Sequence, residues 1–222
     1  MAWAIDRSRF CRSILQGLVE PTCLMWPAHS WAYFKDMEGK ISFDLDKAAA
    51  LLKEAGVGRG FETEIMTSSK RGFGYGELAQ IIQADLTKIG VNAKIVDLEP
   101  AQYTAQFLNK GDHKIAVHTY GRSNRDPGTM VTAAKAFYTE KEGGWCHFES
   151  AEYDQLRADL QSTLDQEKRK TICRKIQEMI LDESFTISVA PQQRAWAYGS
   201  HVKGFDLDLD DSPFVGNMWI ER

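Results

Sequence analysis

The sequence predicts an α/β fold, on three observations. Residues 61–98 read as strand, helix, strand; the helical stretches carry apolar stripes closed by glycines; and 43% of the 222 residues are hydrophobic, including six Trp. That content supports one sizeable core or at most two small domains, and no repeat, low-complexity linker or internal boundary divides the chain.

The elements follow in order. DLDKAAALLKEAG predicts a helix in which Asp44 caps, Ala48, Leu51, Leu52 and Ala55 form one stripe, and Gly56 supplies the left-handed stop. FETEIMTSS alternates as a strand with Phe61, Thr63, Ile65 and Thr67 on its better-buried side. A glycine loop follows, and then GELAQIIQADLTKIG sets Leu78, Ile81, Ile82, Leu86 and Ile89 at helical spacing. VNAKIVDL returns to strand alternation. Pro100 suits the first turn of a helix stopped at Gly111, and HKIAVHTY is a strand leading into the loop GRSNRDPG. TMVTAAKAFYT predicts a further helix. Two more, capped by Ser150 and Asp165, form a helical hairpin, with Ile172, Ile176, Met179 and Ile180 of the second turned inward. FTISVAP and RAWAYG read as strands before a short, acidic and aromatic tail.

Several function classes fall away. A net charge of -4, with Lys and Arg scattered among acids, gives no basic stripe for nucleic acid. No apolar run approaches the ~20 residues of a membrane span. MAWAIDRSRF lacks the basic start and apolar middle of a signal peptide, so the sequence as it stands reads as soluble. Cys11, Cys23, Cys146 and Cys173 show no metal spacing; a Cys11 to Cys23 bridge and four free thiols are both open.

The motifs that suggest chemistry are few. Gly72, Gly74 and Gly76 behind Lys70 and Arg71 resemble a phosphate cradle, which would make the protein a nucleotide-dependent α/β enzyme. Against this, the loop lacks the GxGxxG spacing, the Lys-Ser or Lys-Thr pair and a ribose-binding acid; a wide turn with Lys70 and Arg71 solvated is the simpler reading. DLDLDD has Asp211 where a calcium loop requires glycine. His113 and His118, five apart on an expected strand, point to opposite faces and share no metal. No GxSxG or HExxH appears, and Ser123 in GRSNR lacks the second glycine of a nucleophile elbow. What remains is HTYGRSNRDPGT, where an aromatic, two arginines, Asn124 and Asp126 share one loop at a strand's carboxyl end. Arg122 or Arg125 there suits a bidentate carboxylate clamp.

Taken together and in order, AIDRSRF, FDLDKAAALLKEAG, LAQIIQADLTKIGVNAKI, RDPGT, AEYDQL, DQEKRKTICRKIQEMILDES and VKGF resemble the C-terminal part of a family 5 extracellular solute-binding protein. These are the oligopeptide, dipeptide and nickel receptors of ABC importers, and the resemblance runs from about Ala4 to Phe205. It implies a periplasmic-binding-protein-like lobe, a mixed sheet flanked by helices, with residues 1–222 forming one C-terminal ligand-binding lobe of a longer, exported, periplasmic protein. It implies no catalysis and no cofactor or metal. The implied partners are a peptide or small polar or acidic solute, an N-terminal lobe and a membrane permease, with the protein a monomer. On this resemblance Tyr120, Arg122, Ser123, Asn124, Arg125 and Asp126 contact ligand, with Trp31 and Trp145 as aromatic walls. Peptide receptors of the family place an acid a few residues before the Asp-Pro pair to hold a free amine. Here Arg122, Ser123, Asn124 and Arg125 fill that stretch, which favours a ligand with carboxylate or other acceptor groups.

Overall fold

A three-stranded parallel sheet in the order β2-β1-β3 organises the first half of the chain. The computed structural model describes residues 1–120, 126–192, 196–207 and 213–221. After a short helix α1 (Arg7–Ser13), α2 (Leu45–Glu54) begins at Asp44, whose carboxylate accepts from the Lys47 N–H at 2.8 Å, and ends before Gly56 at φ +77°. Only Ala48 and Leu52 of its expected stripe are buried; Leu51 is exposed, because the helix lies against the sheet through one narrow line.

Strand β1 (Glu62–Thr67) pairs with β2 (Asn92–Asp97) over its whole length and with β3 (Ile115–Ala116) at its carboxyl end. Helix α3 (Tyr75–Thr87) makes the crossover between β1 and β2. Ile65, Met66 and Thr67 are all buried, so β1 has no single better-buried face. It is the central strand, and both its faces are covered where β3 joins. Helix α4 (Pro100–Tyr103) runs directly into a π-helical segment, Thr104–Lys110, closed by Gly111 at φ +66°.

The second half is helical. Helix α5 (Gly128–Ala133) is shorter than expected, giving way to a tight turn at Lys135–Phe137. The hairpin of α6 (Ala151–Ser162) and α7 (Gln166–Glu183) starts at the two predicted caps, Ser150 and Asp165. Its inner face closes a core of Trp26, Met37, Phe137, Tyr153, Leu160, Ile176 and Ile180. Met179 and Ile172 sit at the margin of that core, only partly buried. Trp3 and Ile187 bridge it to the sheet's own core of Ile65, Ala79, Ile82, Leu86 and Val91.

The strands expected at FTISVAP and RAWAYG do not form among the described residues; residues 193–195 lie outside them. The backbone carbonyls there are used singly, Ser188 accepting from the Arg7 guanidinium at 2.8 Å and Val189 from the Thr22 N–H at 3.1 Å, and β1 already has a neighbour on each side. The described antiparallel pairing lies instead in a separate hairpin, β4 (Val202–Lys203) with β5 (Trp219–Ile220). Parallel and antiparallel pairs are thus divided between two sheets. The four cysteines are free thiols.

Candidate functional site

The chain leaves β1 toward β2 on one side and later returns to lay β3 on the other, so a topological switch point falls at the carboxyl end of β1. Three segments converge there: the glycine loop after β1, Asp97 to Glu99 after β2, and Val117 to Tyr120 after β3. The Tyr75 hydroxyl, at the start of α3, hydrogen-bonds the Thr119 hydroxyl and ties the first of these to the last.

The glycine loop turns its first donors inward. Its Ser69 N–H and hydroxyl donate to the two oxygens of Asp97 at 2.9 and 2.6 Å, and Lys70 pairs with Glu99 at 2.5 Å, so these groups already hold internal acids. Gly74 takes φ +81°, and a Cβ there would sit 3.1 Å from the Phe10 ring; its role is to turn the chain under α1. Arg71 is not simply solvated: its Nη1 donates to the Thr104 hydroxyl at 2.8 Å and its guanidinium lies 5.5 Å from the Tyr103 ring centroid. Among the described residues no carboxylate pairs with it.

Behind Arg71 stands a continuous aromatic wall. Phe107 is ringed by Tyr103 at 5.3 Å, His113 at 4.9 Å, His118 at 4.7 Å and Trp145 at 4.9 Å, and His118 passes the series on to Tyr120 at 5.1 Å and Phe137 at 5.0 Å. His113 and His118 therefore meet the same ring, contrary to the opposite faces expected. Strand β3 covers only Ile115 and Ala116, so neither histidine is on it and strict alternation does not apply. Burial, and secondarily the Arg71 charge, hold His118 down to about 4, leaving the imidazole neutral; burial also lowers His113. Desolvation raises the phenols of Tyr103 and Tyr120. Ser68, wholly buried just after β1, has no hydrogen-bond partner for its hydroxyl among the described residues.

Of the site residues named from the sequence, Arg122, Ser123, Asn124 and Arg125 lie outside the described residues. Tyr120 and Trp145 belong to the aromatic wall. Trp145 also closes over Gly111, where a Cβ would come within 2.7 Å of its ring. Trp31 packs at the margin of the helical core, and among the described residues no ring pair or hydrogen bond joins it to that wall. Asp126 is an anchor: one guanidinium nitrogen of Arg169 is 2.7 Å from both its oxygens, and the Gly128 N–H donates to Oδ1 at 3.0 Å. Arg169 in turn donates to the Leu160 and Thr163 carbonyls, and the Trp26 indole N–H donates to Pro127 at 2.9 Å. The loop's exit is thereby pinned to both α7 and the N-terminal segment.

No motif marks out Arg71, His118 and the Tyr103–Phe107 platform, because the approach of the glycine loop to the segment after β3 is a property of strand order rather than of either sequence. Among the described residues no group of three His, Cys, Asp or Glu could hold a metal, and no helix is long and apolar enough to cross a membrane.

A family model described as bacterial extracellular solute-binding proteins, family 5 Middle, matches residues 1–140, and the chain belongs to that family. The dipeptide-binding protein of Escherichia coli (strain K12) is 26% identical over 228 residues, covering 100% of this chain and 42% of that protein. A solved structure of the ABC transporter-associated periplasmic binding protein DppA from Helicobacter pylori, in complex with peptide STSA, gives a TM-score of 0.79 at 25% identity, covering 100% of this chain and 43% of that one. A dipeptide-binding protein from Pseudoalteromonas sp. SM9913, in complex with Met-Leu, shares the fold with a TM-score of 0.78 at 24% identity, covering 99% of this chain and 44% of that one. The chain thus spans less than half the length of these relatives, and they are binding proteins rather than enzymes.

Proposed function

We propose that this chain is the C-terminal lobe of an extracellular or periplasmic receptor of an ABC import system, which binds a peptide or other small polar solute bearing a carboxylate and delivers it to a membrane permease. The supporting observation is Arg71, a cation without a carboxylate partner among the described residues, at the switch point of a parallel sheet in a chain of the solute-binding family. Exposed at the edge of the aromatic wall, with its Nη1 on the Thr104 hydroxyl, the guanidinium has further N–H groups to turn toward a carboxylate, which it favours through two parallel hydrogen bonds. Arg122 and Arg125, which lie outside the described residues, are proposed from the sequence as further donors, with Ser123 and Asn124 supplying neutral contacts.

The function requires no catalytic group. A second lobe closes over the solute, and the closed form is populated because the solute makes better contacts in it. Tyr120 and Trp145 support this lobe's wall, whereas Asp126, through Arg169, fixes the loop rather than the ligand.

The test is calorimetry on the two-lobed receptor with an acidic peptide. Arg71→Ala, Arg122→Ala and Arg125→Ala should each weaken binding by about 1.5 to 3 kcal/mol where the residue makes a charge-assisted hydrogen bond. Unchanged affinity in all three would remove the carboxylate clamp.

A further inference from the structure

The Tyr103 phenol has one proton, and it is committed: the hydroxyl donates to the Val117 carbonyl, which can only accept, at 2.8 Å. The same oxygen lies 3.4 Å from His118 Nδ1. With the phenol proton committed, a hydrogen bond across that contact has the imidazole as its donor, and this favours the tautomer with the N–H on Nδ1 and the lone pair on Nε2. No described residue hydrogen-bonds Nε2. Nor is that atom among the buried unpartnered ones, which are Arg9 Nε, Ser68 Oγ, Tyr153 Oη and Gln177 Nε2. The ring is held by Phe107, Tyr120 and, stacked at 6.0 Å, Tyr103, so the acceptor is fixed before any ligand arrives.

We propose that His118 is a ligand-contacting, specificity-determining residue, whose unprotonated Nε2 accepts a hydrogen bond from an uncharged N–H or O–H of the solute while Arg71 holds the carboxylate. The inference rests on the receptor reading above and narrows its substrate class to carboxylates that carry a neutral donor, such as an amide N–H or a hydroxyl. The titratable groups around the ring are Arg71 from the glycine loop, Tyr103 from α4, Tyr75 from α3, His113 across Phe107, and Tyr120 on its own segment. With burial raising the phenols of Tyr103 and Tyr120 and pushing His113 toward neutrality, the fixed charge acting on the ring is the positive one of Arg71, which disfavours an ammonium donor at this position.

Two measurements on the isotope-labelled chain test it. Long-range proton–nitrogen correlation at neutral pH should show His118 protonated at Nδ1 alone, and Tyr103→Phe should abolish that preference; an Nε2–H tautomer in the wild type overturns the assignment. Chemical-shift titration into the millimolar range then compares N-acetylalanine with its N-methyl derivative, in which a methyl group replaces the donor hydrogen, and with O-acetyl lactate, in which an ester oxygen replaces the N–H. The wild type should bind N-acetylalanine more tightly by roughly tenfold, the size of one hydrogen bond. His118→Phe should erase the difference and His118→Gln, which restores an acceptor, should recover part of it. If no probe perturbs the Arg71 and Tyr103 signals, the receptor reading itself fails. If all bind and the wild type does not discriminate, or His118→Phe discriminates as well as the wild type, only the role of His118 fails.

Discussion

His118 is the residue whose protonation most directly couples the site to solution conditions. An imidazole with an ordinary value of 6.5, held to about 4 in the folded chain, binds fewer protons folded than unfolded across that interval. Its contribution to stability is therefore complete above about 6.5 and lost progressively as the pH falls toward 4. His113, also lowered by burial, contributes with the same sign. Denaturant midpoints measured at pH 7 and pH 5 should show the wild type losing more stability on acidification than His118→Gln; equal losses would place the imidazole in water. Arg71 and Asp126 make a second point at this scale. Both are charged residues on loops, indistinguishable by type from solvated side chains, yet one lacks an acidic partner among the described residues and the other is locked to Arg169 on α7, 43 residues away. Nothing local to either residue distinguishes them.

At the scale of the elements, what was readable in the chain is what depends on near neighbours. The caps at Asp44, Ser150 and Asp165 and the stop at Gly56 were legible because a cap is a bond to an N–H three residues on, and a left-handed turn is a local conformation. The length of β3, the π-helical run after Tyr103 and the failure of FTISVAP to join a sheet were not, since each is decided by which distant segment takes the backbone groups. The carboxyl edge of the sheet shows the same division: the composition of HTYGRSNRDPGT draws attention to the segment after β3, but the approach of the glycine loop to Thr119 follows only from strand order. Glycines show how context separates similar signals. Gly56 and Gly60 both take positive φ, but a Cβ on Gly56 meets nothing within 4 Å, while one on Gly60 would stand 1.8 Å from the Gly90 carbonyl, where the entry to β1 crosses the end of α3. Gly56→Ala should cost about 1 to 2 kcal/mol, the strain of a left-handed residue. Gly60→Ala should cost clearly more, because backbone must move, and thermal melts of the two variants provide the comparison.

For the whole molecule, the proposed site presents one wall. The aromatic series and Arg71 lie along a single sheet edge, and on the receptor reading the remaining contacts come from the lobe that the longer relatives possess. Titration calorimetry of this chain with short acidic peptides should accordingly find no sub-micromolar binding, whereas the two-lobed receptor binds; tight binding by the chain alone would mean that the pocket is complete within it. The hairpin of β4 and β5 is similarly incomplete, with consecutive strand residues Trp219 and Ile220 at 59% and 68% exposure, so that neither of its faces is covered here.

The bonds that sew the first thirty residues in place have a further consequence for the chain as it is made. Asp6 and Arg9 find Asp85 on α3 early and Trp26 finds Pro127 next, but Met25 closes on Gln177 and Arg7 on Ser188, so these last bonds form only after α7 has been synthesised. The sheet core, drawn largely from residues 48–117, assembles from segments that emerge early and in succession. Until α6 and α7 leave the ribosome, Trp26, Phe34 and Met37 lack the larger part of their core, and they are apolar surface left exposed on the nascent chain, a natural target of a holding chaperone and a stretch from which misassembly would start.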